Sequence, residues 1–345
     1  MLARWWDALQ GFFNQVHQAA AGSAFWSGVF TLGWSLVKFV VVILFMILNT
    51  LVLVWLERKV SARIQTRLGP MRTGRPHGWL QLIADTFKLL SKEDIIPRAV
   101  DRALYVIAPV VVFTSSLLIY VVIPMGPRAI VSDLNIGMLY LAAATSFTMM
   151  GVLMAGWGSN SKWSLLGSMR GAAMLLSYEV PMVLAVVAVV MLSGTLSTNG
   201  IVGAQSRLWN IVVQPLGFLV FLAALFAELN RVPFDLAEAE AELVAGYNVE
   251  YSGLRFAFFF LAEYSNLLAL SAIGVTLYFG GWQGPWLPPF VWFMLKTYAF
   301  VLVVMWIRWT LPRVRVDQLM SFGWKVLLPA ALVNLALTGV YILLA

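Results

Sequence analysis

The chain has no cysteine and only two histidines, His17 and His77, in 345 residues. Thiolate or imidazole ligation of an iron–sulfur cluster, a haem or a zinc ion is therefore excluded here, and any redox centre the chain serves must lie on another. Two histidines also leave no Ser/His/Asp set near the apolar runs, and no glycine-rich phosphate loop follows a strand pattern. Hydrolysis, nucleotide chemistry and a nucleic-acid partner are not expected. Charge is scarce as well: 11% of residues are charged against 61% hydrophobic, too few to cover a water-facing surface. What remains is an all-α polytopic membrane protein.

Apolar runs of about 20 residues, the length that crosses a bilayer, occur at 34–56, 102–124, 137–157, 174–196, 209–228, 253–279, 288–310 and 322–344. They predict about eight helices in one integral membrane domain, 1–345. Within residues 1–30, Trp5, Trp6, Leu9, Phe12, Phe13 and Val16 recur at helical spacing with Arg4, Asp7, Gln10 and Asn14 between them, which suits a short interfacial helix. The segment lacks the apolar core and small-residue cleavage site of a signal peptide, and is expected to belong to the mature protein.

Basic residues set the orientation. The connection after the first run carries Arg58, Lys59, Arg63, Arg67, Arg72, Arg75, Lys88, Lys92, Arg98 and Arg102. The loops after the third, fifth and seventh runs add Lys162, Arg170, Arg231, Arg308, Arg313 and Arg315, while the even-numbered loops offer only Arg128 and Arg207. Sixteen against two places the odd-numbered loops in the cytoplasm and both termini outside, in the inner cell membrane. The long loop at 57–101 is then cytoplasmic. Trp79, Leu82, Ile83, Phe87 and Leu90 line one face of a predicted amphipathic helix there, with Gln81, Asp85, Lys88 and Lys92 on the other. GPMRTGRPHG fixes turns before it, so the loop reads as a folded platform for a partner protein or for the mouth of a pocket.

The acids are not spread evenly. The loop at 229–252 and its edge hold Glu228, Asp235, Glu238, Glu240, Glu242 and Glu250 against one base, Arg231, in a chain of net charge +7 with sixteen acids in all. Carboxylates gathered at a membrane boundary point to the handling of protons or cations. Asp235 is equally well read as the cap of a helix over 236–245 that ends near Gly246. Glu238 and Glu242, four apart on such a helix, would crowd each other and raise the pKa of at least one, while Glu240 suits a solvated face.

Acids inside the apolar runs say more, because a charged carboxylate at the bilayer centre costs about 2.5–3.5 kcal/mol. Glu179 is expected roughly 8 Å below the cytoplasmic face, followed by Pro181, which would open the backbone. Glu263 is expected roughly 15 Å deep, near the midplane. With Glu228 at the boundary they form a series graded from surface to midplane. The plainer alternative for each is a buried acid paired with a base or with a hydroxyl such as Tyr178 or Tyr264. Glu57, Arg58 and Lys59 end the first run, Lys38 and Lys296 are expected to snorkel, and Phe256, Phe258, Phe259 and Phe260 form an aromatic belt or the wall of a slot for an isoprenoid tail.

WLERKVSARIQTRLGP at 55–70, GWGSNSKWSLLGSMR at 156–170, SYEVP at 177–181, AELNRVPFDLAEAEAELVAGYNVEY at 227–251, AEYSN at 262–266 and WIRWTLPRVRVDQLM at 306–320 closely resemble the quinone-site membrane subunit family of respiratory complex I, over nearly all of the chain. MRTG at 71–74 departs from the family's commonest pattern. The resemblance implies a subunit of a proton-translocating NADH:quinone oxidoreductase, with no complete active site of its own. Quinone, either ubiquinone or menaquinone, would be the substrate, and FMN and iron–sulfur clusters would lie on partner subunits. It further implies that Glu57, Arg58, Lys59, Arg63, Arg67 and Phe259 border the quinone cavity and its entrance. Glu179, Glu228, Arg231, Asp235, Glu238, Glu240, Glu242, Glu250 and Glu263 would form the coupling path for protons. The implied partners are the peripheral-arm subunits flanking the terminal iron–sulfur cluster and the small membrane subunits that lead to antiporter-like ones. Two other functions fit less of the pattern: the homologous subunit of a membrane-bound hydrogenase or of a ferredoxin- or deazaflavin-linked complex, and a stand-alone cation transporter, which would show two related halves.

Overall fold

The computed structural model describes residues 11, 24–238 and 240–344, without the side chains of residues 24–28, 30, 240 and 241. The interfacial helix expected near the N-terminus therefore lies, apart from Gly11, outside the described residues up to Ala24. The helices are α1 (Ala24–Ile64), α2 (Gln81–Ser91), α3 (Arg102–Ile119), α4 (Gly137–Gly158), α5 (Lys162–Ser193), α6 (Thr198–Ala204), α7 (Asn210–Val213), α8 (Pro215–Glu228), α9 (Glu240–Leu243), α10 (Gly253–Tyr278), α11 (Pro289–Thr310), α12 (Val316–Phe322) and α13 (Leu328–Leu344). A π-turn at Gly323–Leu327 joins the last two into one continuous rod. Among the described residues seven helices are long and apolar enough to cross a membrane, and α8 is a shorter apolar eighth.

Local chemistry sets the helix ends. Asp101 Oδ1 accepts from the backbone N–H groups of Ala103 at 3.1 Å and Leu104 at 3.4 Å, capping α3. Gly194, at φ 67°, closes α5 in the left-handed conformation that glycine adopts without strain. Pro181 leaves α5 undivided over 32 residues: one backbone bond is lost, but the helix runs on.

The fifth apolar run is the one that departs most from its predicted form. It is split at Gln214 (φ −127°, ψ 61°) into α7 and α8, and Pro215 starts the second piece without needing a backbone donor. At 14 residues α8 is roughly 21 Å long, short of the roughly 30 Å hydrocarbon layer. The Gln214 side chain makes up part of the deficit, donating to Ala188 O at 3.0 Å on α5 and to Thr338 Oγ1 at 2.9 Å on α13. Neighbouring helices thus take up the amide donor at the broken end, as such a break within a span requires, while Gln214 Oε1 is left without a partner.

Helix α10 forms the axis of the bundle. From Tyr264 to Tyr278 every residue is buried, with α1, α3, α8 and α11 packed around it. The outer helices turn apolar faces outward: α1 exposes Leu32, Leu36, Val40, Leu44 and Leu48, one per turn. Such a stripe suits acyl chains and would be costly against water.

The acidic loop does not form the helix predicted over 236–245; among the described residues there, Glu240–Leu243 alone is helical. Val244, at φ 67°, ends it, and Gly246, at φ 54°, folds the chain back on itself. A Cβ on Gly246 would stand 1.7 Å from the carbonyl oxygen of Ala237, and one on Gly167 of α5 would stand 2.8 Å from Gly246 Cα. The loop is thus pressed flat against α5, and that tertiary contact overrides the helical propensity of its Ala-Glu repeat.

Candidate functional site

Two features meet near the Glu57 end of α1: an apolar groove and a buried string of carboxylates. The groove, about 500 Å³, lies between α1, α2 and α10 and is walled by Ile47, Leu51, Val54, Leu82, Phe256 and Phe260 among others. Its polar rim comes from Arg58, Asp85, Lys88 and Lys92. Arg58 donates to Asp85 Oδ2 at 2.6 Å and Gln81 to Asp85 Oδ1 at 3.0 Å, so one ion pair ties α2 to α1 at the opening. Helix α2 therefore turns Leu82, Asp85 and Leu89 toward the bundle, while Ile83, Phe87 and Leu90 are exposed, as an interfacial helix requires.

Beyond the groove wall lies Arg231, 2% exposed. One guanidinium nitrogen, Nη1, is 3.3 Å from Glu57 Oε1; the other, Nη2, is 2.9 Å from Glu263 Oε1, and the group lies 4.7 Å over the Tyr264 ring. Glu57 takes a second base, Arg308 of α11. Burial alone would lower the Arg231 pKa, but Glu263 and Glu57 hold it above its ordinary value, and the cation is fixed. Two arginines against two carboxylates leave this buried cluster near neutrality, the condition under which charge persists away from water.

Two cavities extend the string. One, of about 30 Å³, is lined by Glu228, Glu238 and Glu263 with Asn230, Asn266, Tyr247 and Thr148, and has room and polar partners for a water or two. The other, about 110 Å³ and otherwise mostly apolar, is lined by Glu179 and Glu228. Glu228 belongs to both. Glu179 also accepts from Ser146 Oγ of α4 and lies within electrostatic reach of Glu228. Glu238 Oε1 accepts from Tyr247 Oη at 3.1 Å and from Asn248 Nδ2 at 2.9 Å. Burial, then the nearby charges of Glu263 and Asp235, push the Glu238 pKa up to about 8, although Arg231 and the Tyr247 bond pull the other way. This carboxyl can take up and release a proton near neutral pH.

The residues singled out from sequence fall into two groups. Glu57, Glu179, Glu228, Arg231, Glu238 and Glu263 are brought together, and Arg58 stands at the groove. Glu242 is not with them: it is exposed, paired with Arg170 at 2.7 Å and Arg313 at 3.5 Å, and those bonds hold its pKa below the ordinary value. It shares no helix face with Glu238, which precedes α9. Asp235 caps no helix, since α9 begins five residues later. The side chain of Glu240 lies outside the described ones. Glu250 stands apart, its carbonyl accepting from Tyr105 Oη at 2.7 Å. Glu263 is the paired acid of the plainer alternative, because Arg231 reaches it from the loop after α8.

Of the other residues expected at the entrance, Arg63 and Arg67 are exposed at the end of α1 and Lys59 Nζ is turned to Pro70 O at 2.7 Å, and none of the three lines the groove. Phe259 faces Tyr247 and Tyr251 and lines the small carboxylate cavity, whereas its neighbours Phe256 and Phe260 face the groove. Tyr178 donates to Leu319 O at 2.9 Å and is no partner of Glu179. Lys296 does not snorkel: its Nζ is 2.6–3.2 Å from the carbonyls of Phe279, Gly281 and Gln283, where it closes the C-terminal end of α10. Sequence reading missed Arg308, Ser146 and Asn248, because their roles depend on contacts between distant segments. Only Arg308, a base just inside the end of a span, carried a detectable signal. Among the described residues no three His, Asp or Glu side chains converge as a metal site.

Comparison with known proteins supplies the context. A family model described as NADH dehydrogenase matches residues 37–339. The chain is 51% identical over 310 residues to a protein of Dehalococcoides mccartyi, covering 90% of this chain and 87% of that one. It is 49% identical over 310 residues to one from Geobacter metallireducens, covering 87% and 94%, and 51% identical over 288 residues to one from Geobacillus kaustophilus, covering 82% and 86%. All three are named as H subunits of NADH-quinone oxidoreductase.

Proposed function

We propose, on the premise that this chain belongs to the NADH dehydrogenase family together with the H subunits of NADH-quinone oxidoreductase, that it admits quinone and couples quinone reduction to proton translocation. As a membrane subunit of that multisubunit enzyme it works within an assembly, and the readings as a hydrogenase-linked subunit or a stand-alone transporter lose their footing. Quinone enters through the groove between α1, α2 and α10, whose apolar walls suit an isoprenoid tail and whose Arg58 rim suits a polar head group. Electrons come from an iron–sulfur cluster on a peripheral-arm subunit, and FMN and further clusters lie upstream of it. The acidic loop and the 57–101 loop face the cytoplasm, both termini face outward, and small membrane subunits continue the path toward antiporter-like ones.

Reduction of quinone by two electrons to quinol takes up two protons. Negative charge transiently develops beside the carboxylates, and in a poorly screened site a unit charge a few ångströms away shifts a pKa by one or more units. Glu238 responds first, since it is poised near neutrality and hydrogen-bonded to a neutral amide and a phenol. The change then passes through Glu228 to Glu179, with Arg231 fixing the charge of Glu263 and Glu57 alongside. The observation that carries this reading is the position of Glu228, which lines both cavities and so joins two sets of acids that otherwise share no wall. The test is proton pumping by the assembled complex in proteoliposomes. Glu179→Gln and Glu238→Gln should lose pumping while NADH oxidation by an artificial acceptor persists; full pumping in both variants would refute the relay.

A further inference from the structure

A second cavity, of about 310 Å³, adjoins the groove: Leu89, Lys92 and Phe256 line both. Its far wall is the end of the acidic loop, with Val244, Asn248 and Tyr251. Asn248 thus has two faces. Its Nδ2 donates to Glu238 Oε1 at 2.9 Å, inside the carboxylate string, while the residue forms part of the wall of the cavity that continues the groove. Its Oδ1 is fully buried and has no hydrogen-bond partner. A buried amide oxygen left unmatched keeps an acceptor in reserve, at a cost that a new partner would relieve. Four residues earlier Val244 holds φ 67°, a strained setting for a β-branched residue, in the same cavity wall.

We infer that Asn248 is a positioning residue that reports occupancy of this cavity to Glu238, so that a ligand hydrogen-bonding to the amide loads a proton onto that carboxyl. The inference rests on the reading that quinone reaches the cavity through the groove. Its chemistry needs only an amide. With the cavity free, Nδ2 donates to the Glu238 carboxylate and favours its charged form. A quinone carbonyl, which accepts but cannot donate, competes for the same N–H. When the amide turns to it, Glu238 loses one of its two donors, and the neutral carboxyl gains by comparison. The turned amide also presents Oδ1 to the protonated carboxyl as an acceptor. The proton comes from water and no bond other than O–H is made.

The groups around Glu238 fit this assignment. Glu263 from α10, Asp235 and Arg231 from the loop, Tyr247 beside Asn248, and Glu228 across the small cavity all face it. Tyr247 donates to the same oxygen and stays in place, so the amide alone is free to change partner. Linkage makes the effect reciprocal: whatever binding does to the Glu238 proton, that proton does to binding.

The test is proton uptake on binding at about pH 8.5, where Glu238 is largely ionised while the cavity is free, followed with a pH-indicator dye in weakly buffered solution. It uses the whole detergent-solubilised complex without NADH, with decylubiquinone and, in parallel, a short-chain menaquinone analogue as probes. Wild type should take up protons on binding, and Glu238→Gln should not. Asn248→Leu should bind the probe with an affinity reduced by less than about tenfold and take up none, whereas Tyr247→Phe should retain the uptake. Equal uptake in Asn248→Leu and wild type would overturn the assignment of Asn248. Should the leucine variant fail to assemble, Asn248→Ala, which lacks the N–H and adds no titratable group, must also lose the uptake, and normal uptake there overturns the assignment equally. Failure of wild type to bind either probe, by contrast, would defeat the quinone-site reading itself.

Discussion

Glu238 and Glu242 are four residues apart in one acidic loop, yet the fold gives them opposite surroundings. Glu238 is turned inward to a phenol, an amide and other carboxyls, and its pKa is pushed up to about 8. Glu242 is exposed between two arginines and its pKa is lowered. The same contrast separates the two sets of ion pairs. Arg231 is sealed between Glu57 and Glu263, while Arg170, Glu242 and Arg313 form a surface clasp that holds the loop to its neighbours. Placement relative to water, more than acid content, decides which carboxyls can carry protons and which only fasten the chain.

The sharpest way to break that contrast is to remove the buried base. Arg231→Leu leaves Glu263 without its partner, and loss of one member of a buried pair costs about 3–5 kcal/mol. The complex should then lose this subunit on purification or melt at a clearly lower temperature. An unaltered melting curve would mean that the cluster is not buried as described.

Glu238 offers a test by pH. Its folded pKa is raised from the ordinary 4.5 to about 8. Over that window the folded state keeps a proton that the unfolded chain releases. This group's contribution to stability is therefore complete at low pH and is lost as pH rises from about 4.5 to about 8. Glu238→Gln should flatten that part of the melting-temperature profile; a profile unchanged by the substitution would remove the raised pKa from the account.

At the groove mouth, Arg58 and Asp85 are partly exposed, and such a pair is worth at most about 1 kcal/mol. Arg58→Ala should raise the KM for a short-chain quinone by up to about fivefold with kcat little changed. A KM equal to that of wild type would remove Arg58 from the entrance. The smallest effect is expected at Glu242→Gln, where pumping per NADH should equal that of wild type. A loss of pumping there would erase the distinction between the two acids.

Much of this arrangement could be read from the chain, and the parts that could not share a physical cause. Hydrophobic runs of spanning length mark the helices directly, since a bilayer filters on length and polarity. The break at Gln214 escapes that filter because one amide and one proline hardly alter the mean of a twenty-residue window. Periodicity put Glu238 and Glu242 on one helix face; contact with Gly167 and the positive φ of Val244 and Gly246 flattened the segment instead. The acids inside spans stood out by cost alone, but their partners did not. Arg231 reaches Glu263 and Glu57, and Arg308 reaches Glu57, only after helices far apart in sequence have packed. For the same reason the aromatic run at 256–260 was read as one belt or one slot wall, although a helix turns Phe259 away from the groove that Phe256 and Phe260 face.

The central claim is that Glu228 joins two groups of acids into one path. Glu228→Gln preserves the shape of the side chain and removes its charge and its exchangeable proton. NADH-driven proton uptake into proteoliposomes, measured together with quinone reduction, tests the claim most directly. Quinone reduction that continues at a reduced rate with pumping lost is the expected result; a wild-type ratio of protons pumped to NADH oxidised would contradict it.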